Sequence, residues 1–286
     1  MVEYEEYKSF LGKEHNCNFC EGNDLKEWGR RGIFKLDQCN NCGLVYINPR
    51  LNEDGLNKLY STYFDGREQD VETTEKRKLM YQLEVDFILK HLKHHNTILD
   101  VGCGGGLFLD KFPPSLTKLA TDYDSIAAKE AENKGIKCYV GDLLDIEIKE
   151  APLDVVMFRG VIEHVVDPKK TLEKVSHLLA PKGLLYITSI PDLNSVCAEL
   201  YRGQWNLVVP DHLYYMNEPL LTGLLIDMNL TLLDKYHFYE ETPYANPLSD
   251  YQQICRDLRK LRNGEKIKDT SPAYWGNMMS LVYQKN

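Results

Sequence analysis

One stretch constrains the fold of this chain more than any other: Thr97-Ile98-Leu99-Asp100-Val101 runs without a break into Gly102-Cys103-Gly104-Gly105-Gly106-Leu107-Phe108-Leu109. A short apolar run ending in glycines reads as a buried strand passing into a tight turn, with a helix expected beyond it. Glycines admit positive φ and let the backbone come close to a ligand, while a helix start offers free N–H groups to a carboxylate or phosphate. The stretch therefore predicts an α/β fold with a nucleotide-like ligand.

The segments that follow keep strand and helix in alternation. Lys118–Asp122 reads as a second strand ending in an acid 22 residues after Asp100, where a carboxylate can accept both hydroxyls of a ribose. A helix is expected over Ser125–Lys134, a strand over Ile136–Val140 closing at Gly141-Asp142-Leu143, and a buried strand over Leu153–Phe158 leading into Arg159-Gly160-Val161-Ile162-Glu163-His164-Val165. A helix over Pro168–Leu179 and a strand over Gly183–Thr188 come next. Upstream, Leu79, Leu83, Phe87, Ile88 and Leu92 recur at helical spacing, which predicts an amphipathic helix from Lys76 to His95. His91, His94 and His95 cluster at its end, as cations answering the helix dipole or as metal ligands.

A dinucleotide fingerprint places its third glycine where Leu107 stands, so that pattern is not met. Asp100 to Gly106 instead resembles the D-x-G-x-G-x-G signature of class I S-adenosylmethionine (SAM)-dependent methyltransferases. With the ordered matches around it, the chain from about residue 76 to 240 resembles the Methyltransf_23 group, which includes relatives of ubiquinone and sugar methyltransferases. Ala180-Pro181-Lys182-Gly183 departs from the group's L-x-P-G-G turn only in Lys182.

The resemblance implies a Rossmann-like seven-stranded sheet with helices on both faces. Its cofactor contacts fall on Asp100, Gly102, Cys103, Gly104, Gly106, Asp122, Tyr123, Asp142, Leu143, Arg159 and Glu163. Among these, Asp142 bonds the adenine amine, Leu143 packs the ring, and the Glu163-His164 pair sits beside the methionine end. Leu230–Leu233 with Lys235–Tyr239 supplies the sixth strand, and Met279–Tyr283 the seventh, antiparallel beside it. Residues 191–218 form a substrate lid whose polar and aromatic mix suits a polyol or ring, followed by a helix from Glu218 to Met228. An insertion over 240–278 carries a helix from Leu248 to Leu261 with Arg256, Arg259, Lys260 and Arg262, read either as a solvated face or as a phosphate or carboxylate site.

Ahead of this domain, which spans 96–286, lie a linker with helices over 51–95 and a small module over 1–50. Cys17-x2-Cys20 and Cys39-x2-Cys42 stand 18 residues apart, a four-thiolate zinc spacing, and no export signal favours disulfides instead. Gly43 suits the knuckle turn, and Leu44–Ile47 reads as a strand ended by Asn48-Pro49. A zinc ribbon results, too small to own a core, with Zn2+ as a structural staple because four thiolates leave no open position. A redox role and His15 as a substitute ligand are the competing readings. Cys103, Cys138, Cys197 and Cys255 are scattered.

A net charge of −9 and a pI near 5.4 disfavour nucleic acid as a partner. No stretch is apolar enough to span a membrane, and a cytoplasmic chain is expected. SAM is an activated donor, so the protein must align the acceptor and, for an alcohol, remove its proton. His212 and His164 are the candidate bases and Tyr214 a candidate acceptor contact, against packing roles for all three. The favoured function is O-methylation of a small polar metabolite: a sugar, a phosphorylated or nucleotide-linked sugar, or a glycan precursor. C- or N-methylation of a secondary metabolite or quinone-like ring, and a non-catalytic SAM-binding or scaffold role, are the alternatives. A homo-oligomer is left open.

Overall fold

The computed structural model describes residues 4–61, 71–93 and 96–286. Three short strands come first, β1 (Leu25–Arg31), β2 (Phe34–Cys39) and β3 (Val45–Ile47), then helices α1 (Glu53–Ser61) and α2 (Val71–Leu89). Strands and helices then alternate through β4 (Thr97–Val101), β5 (Thr117–Asp122), α3 (Ser125–Glu132), β6 (Lys137–Val140), β7 (Leu153–Arg159), α4 (Pro168–Leu178) and β8 (Leu179–Pro191). The remainder holds α5 (Val196–Tyr201), β9 (Tyr214–Tyr215), α6 (Glu218–Ile226), β10 (Leu230–Tyr236), α7 (Pro247–Arg262) and β11 (Met278–Lys285). Among the described residues no helix is long and apolar enough to cross a membrane.

The chain divides into two compact units, one built from Met1–Arg77, Pro191–Leu220 and His237–Met278, the other from Lys78–Ile190, Leu221–Tyr236 and Met279–Asn286. The second unit carries a seven-stranded sheet in the order β10-β11-β8-β7-β4-β5-β6. β4 pairs in parallel with β5 and β7, β5 with β6, and β7 with β8, while β10 and β11 are antiparallel as expected. The central strands β4 and β7 are buried along almost their whole length, as strands inside a parallel sheet are. Local signals set the helix starts: Asp167 accepts the Lys170 N–H at 3.1 Å as the cap of α4, with Pro168 at its first position. Lys182 takes φ +65°, the left-handed conformation of the glycine it replaces.

Three expectations about the helices are not met. First, no α-helix follows the glycine-rich turn. A single 3₁₀ turn, Leu109–Lys111, stands there, because Pro113 and Pro114 remove the N–H donors that a longer helix would use. Second, α2 ends at Leu89, and His91 lies in a tight turn whose ring bonds Asp234 at 3.1 Å. His94 and His95 lie outside the described residues. Third, the buried face of α2 is Met80, Glu84, Val85, Phe87 and Ile88, whereas Leu79 is exposed.

The first unit carries a four-stranded sheet in the order β1-β2-β3-β9, in which β9 comes from the 191–218 stretch and pairs Tyr46 with Tyr214 and Val45 with Tyr215. The ribbon was expected to be too small to own a core. It shares one instead, where Trp28, Phe34 and Val45 pack with Trp205, Tyr215 and Ile254 from the later segments. Each such fully buried side chain contributes roughly 1.5–3 kcal/mol.

Candidate functional site

The order of the large sheet reverses at β4: the chain leaves it for β5 and β6 on one side and returns to β7 and β8 on the other. Such a reversal opens a crevice beyond the carboxyl ends of the strands. The glycine-rich turn sits there, docked by the Gly102 and Cys103 N–H groups, both donating to Thr121 O at 2.8 and 3.1 Å. Gly102, Gly104 and Gly106 hold φ +74°, +53° and +74°. A methyl group on Gly102 would come within 2.8 Å of Val161, and one on Gly106 within 2.7 Å of Ile136, but nothing lies within 4 Å of that position on Gly104. A ligand can therefore approach the backbone at Gly104.

Asp122 closes β5 beside this turn. Its Oδ2 accepts the Gly104 N–H at 2.7 Å and its Oδ1 the Asp124 N–H at 2.9 Å. An ionised carboxylate offers about four acceptor positions, so both oxygens keep capacity for a ribose hydroxyl. Asp100 is buried, and its Oδ1 has no hydrogen-bond partner among the described residues. Burial pushes its carboxyl up to about 8, with the Arg159 charge opposing and Asp122 adding. A buried acid of this kind gains from a cationic neighbour. The residues fit SAM, which carries a sulfonium and an ammonium.

At the end of β6, Asp142 Oδ1 accepts the Leu144 N–H at 2.7 Å and Oδ2 accepts the hydroxyl of the exposed Tyr123, while Leu143 is buried. Arg159, at the end of β7, donates from Nε to Glu84 Oε2 at 2.6 Å, and its guanidinium lies 4.2 Å from the Tyr81 ring centre. Sequence reading missed Glu84. Its signal was a lone acid on the face of α2 that also carries Met80 and Ile88, at i, i+4 and i+8. Glu163 is buried in a turn closed by His164 N–H on Val161 O at 2.8 Å, and His164 Nε2 stands 4.0 Å from Glu163 Oε1. All the predicted cofactor residues and His164 thus lie in the second unit.

In the first unit the four ribbon thiols converge. Cys17 Sγ is 3.5 Å from Cys42 Sγ, Cys20 Sγ is 3.5 Å from Cys39 Sγ, and all four sulfurs fall within 4.8 Å of one another. A disulfide would need about 2.05 Å. A tetrahedral zinc with bonds of about 2.3 Å sets its sulfurs about 3.8 Å apart, so the cluster fits that ion. The two knuckles have the same construction: Glu21 N–H donates to Cys17 O and Gly43 N–H to Cys39 O, both at 2.8 Å, with φ +60° and +86°. The contact with Cys42 pulls the Cys17 thiol down to about 5 against its burial and pushes Cys42 up in turn. His15 is not among the converging ligands. Its ring stacks on Tyr46 at 5.2 Å, and its Nδ1 donates to Asn16 O at 2.8 Å.

His212 and Tyr214 also belong to this unit. His212 Nδ1 lies 2.9 Å from Leu207 O, and since a carbonyl can only accept, the proton is on Nδ1. The neutral ring then keeps its basic lone pair on Nε2. Tyr214 is buried, and its hydroxyl accepts Arg50 Nη1 at 2.9 Å. A second histidine escaped sequence reading: His237 Nε2 donates to the buried Asp192 at 2.9 Å, each residue standing one position past the end of β10 or β8. Of the α7 cations, Lys260 is tied to Asp257 at 2.8 Å and Asp269 at 3.1 Å, and Arg256 lies 3.5 Å from Asp257. Arg259, Lys260 and Arg262 stand in the last turn, where cations answer the helix dipole.

Comparison with known proteins agrees with this geometry. The profile of the Methyltransf_23 family, described as a methyltransferase domain, matches residues 74–235. The ubiquinone biosynthesis O-methyltransferase of Caulobacter vibrioides is 32% identical over 106 residues, 33% of this chain and 40% of that protein. The chain spans 40 to 60% of the length of the first curated relatives it matches. Among solved structures, a SAM-dependent methyltransferase from Archaeoglobus fulgidus superposes with a TM-score of 0.52 at 17% identity, over 80% of this chain and 99% of that one. The magnesium protoporphyrin IX methyltransferase of Synechocystis PCC 6803, solved with bound S-adenosylhomocysteine (SAH), gives 0.51 at 13% identity, over 82% and 96%.

Proposed function

This chain belongs to the Methyltransf_23 family of methyltransferase domains, and on the premise that it is a SAM-dependent methyltransferase we propose that it O-methylates a small hydroxylated metabolite in the cytoplasm. The favoured acceptor is a sugar, nucleotide-linked sugar or glycan precursor. In this reading the backbone at Gly102–Gly106 and the carboxylates of Asp100, Asp122 and Asp142 hold the cofactor, with Leu143 packed on its adenine. Bound there, SAM supplies a methyl group already activated on a sulfonium. The chain's own tasks are to orient the acceptor, exclude water and take the hydroxyl proton.

His212 Nε2 is the proposed base, and the observation that carries this is the Nδ1 contact with Leu207 O, which fixes the tautomer. A quinone-like ring is the second reading, favoured by the ubiquinone biosynthesis O-methyltransferases among the curated relatives. Cys17, Cys20, Cys39 and Cys42 hold one zinc that fixes the two knuckles and performs no chemistry.

SAH release from SAM is the test, run with nucleotide sugars, catechols and amines as acceptors. Release with a hydroxylated acceptor that falls roughly 10²–10⁴-fold in His212→Gln, at unchanged SAH affinity, supports the reading. Turnover with amines alone, or an unchanged rate in that variant, overturns it.

A further inference from the structure

Two cysteines outside the ribbon also meet. Cys103 stands between Gly102 and Gly104 in the cofactor turn, and its Sγ lies 3.9 Å from Cys138 Sγ on β6. Both are free thiols and partly exposed. Neighbouring residues of β5 hold the two backbones: Cys103 N–H donates to Thr121 O at 3.1 Å, and Cys138 pairs with Ala120. A disulfide needs sulfurs about 2.05 Å apart and Cβ atoms within about 4.5 Å. The sulfurs stand 3.9 Å apart and must approach by about 2 Å to bond.

We infer that Cys103 and Cys138 form a redox site in the cofactor turn, closed to a disulfide by hydroperoxides, and that closure weakens cofactor binding. Cys138 reacts first, since the contact with Cys103 favours its thiolate more than burial opposes it. Its sulfur attacks the outer oxygen of the hydroperoxide and the O–O bond breaks. The alkoxide takes up the proton the thiol gave, leaving an alcohol and a sulfenic acid on Cys138. Cys103 then attacks that sulfur, and its proton leaves with the hydroxyl as water. Two thiols lose two electrons and two protons, and the hydroperoxide is reduced to alcohol and water. A dithiol reverses the step by exchange.

Closure acts on the cofactor turn directly. Cys103 Sγ now donates to Gly104 O at 3.1 Å, and the Gly104 N–H holds Asp122 at 2.7 Å. The disulfide removes the first bond and draws the turn towards β6, which disturbs the ribose anchor.

The zinc-loaded full chain is treated with hydrogen peroxide, titrated with SAH by calorimetry, and digested with trypsin without reduction. Cleavage after Lys93, Lys111, Lys137 and Lys149 puts the two cysteines on separate peptides, 94–111 and 138–149, with one cysteine each. A joined peptide about 2 Da lighter than the sum of the two is expected. SAH affinity should fall about tenfold or more and return with dithiothreitol. Cys138→Ser should bind SAH like the reduced chain and keep its affinity after peroxide. Absence of the joined peptide from the wild type, an equal affinity loss in Cys138→Ser, or a loss that follows zinc release overturns the inference. Unchanged SAH affinity in the joined wild type overturns it as well, so the wild-type map and titration decide the matter even if that variant fails to fold.

Discussion

The two compact units each hold an irregular loop in one geometry, and they do it with different chemistry. In the larger sheet the turn after β4 is held by backbone, through glycines at positive φ, two N–H bonds on Thr121 O and the carboxylate of Asp122. In the other unit two knuckles are drawn together by four thiols, beside a core assembled from three separate stretches. The turn after β4 rests on the two residues that close the next strand, 18 or 19 positions further on. The zinc proposed for the knuckles would instead join four side chains, two from each turn.

The largest expected effect follows from that contrast. Cys39→Ser, at a fully buried ligand position, should abolish stoichiometric zinc and unfold the four-stranded sheet. Structural zinc contributes on the order of 10 kcal/mol, comparable to the whole stability of a domain. SAH binding should persist, because every candidate cofactor residue lies in the other unit. Metal analysis, circular dichroism and calorimetry on one preparation check this; loss of SAH binding together with zinc would break the contrast.

Asp122→Asn comes next. It removes acceptor capacity from the proposed ribose anchor, and a hydrogen bond to a charged acceptor is worth roughly 1.5–3 kcal/mol, so SAH affinity should drop about ten- to hundredfold. Zinc content should not change.

Two alanine variants sharpen the account of the turn itself. Gly106→Ala adds left-handed strain of about 1–2 kcal/mol and a contact of 2.7 Å with Ile136, so its melting temperature should fall further than that of Gly104→Ala. Gly104→Ala meets nothing within 4 Å and should lose SAH affinity more than stability. Equal behaviour of the two variants would mean that the space at Gly104 is not where the ligand approaches.

The same contrast explains what was legible in the sequence. β4, β5 and β7, the place of Asp122 at a strand end and the paired spacing of the ribbon cysteines were all readable because each is written in a few neighbouring residues with a strong physical signature. The face of α2 was misread because burial of Glu84 is decided by Arg159, 75 residues away. The helix expected after Gly106 was lost to Pro113 and Pro114, a local signal that the glycine pattern overshadowed. The core shared by the ribbon with Trp205, Tyr215 and Ile254, and the Asp192–His237 pair, were invisible because hydrophobic periodicity says which face is buried but not against what.

The smallest effect is a proton. Asp100 is raised to about 8 from an ordinary value near 4, so in the folded chain it is mostly protonated at neutral pH. Its contribution to stability is complete below about pH 4 and is lost as the pH rises through 8. A cation bound beside it reverses that preference, and the group ionises. Binding of SAM at pH 7 should therefore release close to one proton, falling towards zero above about pH 9. Calorimetry in phosphate and in Tris, whose ionisation enthalpies differ, counts the protons. Asp100→Asn should show no release, and so should the addition of zinc to the ribbon of a chain already saturated with SAM, apart from the protons of the thiols themselves. A release that persists in Asp100→Asn would place the proton on another group, leaving the backbone bonds of the turn, rather than its buried acid, as the feature that separates the two units.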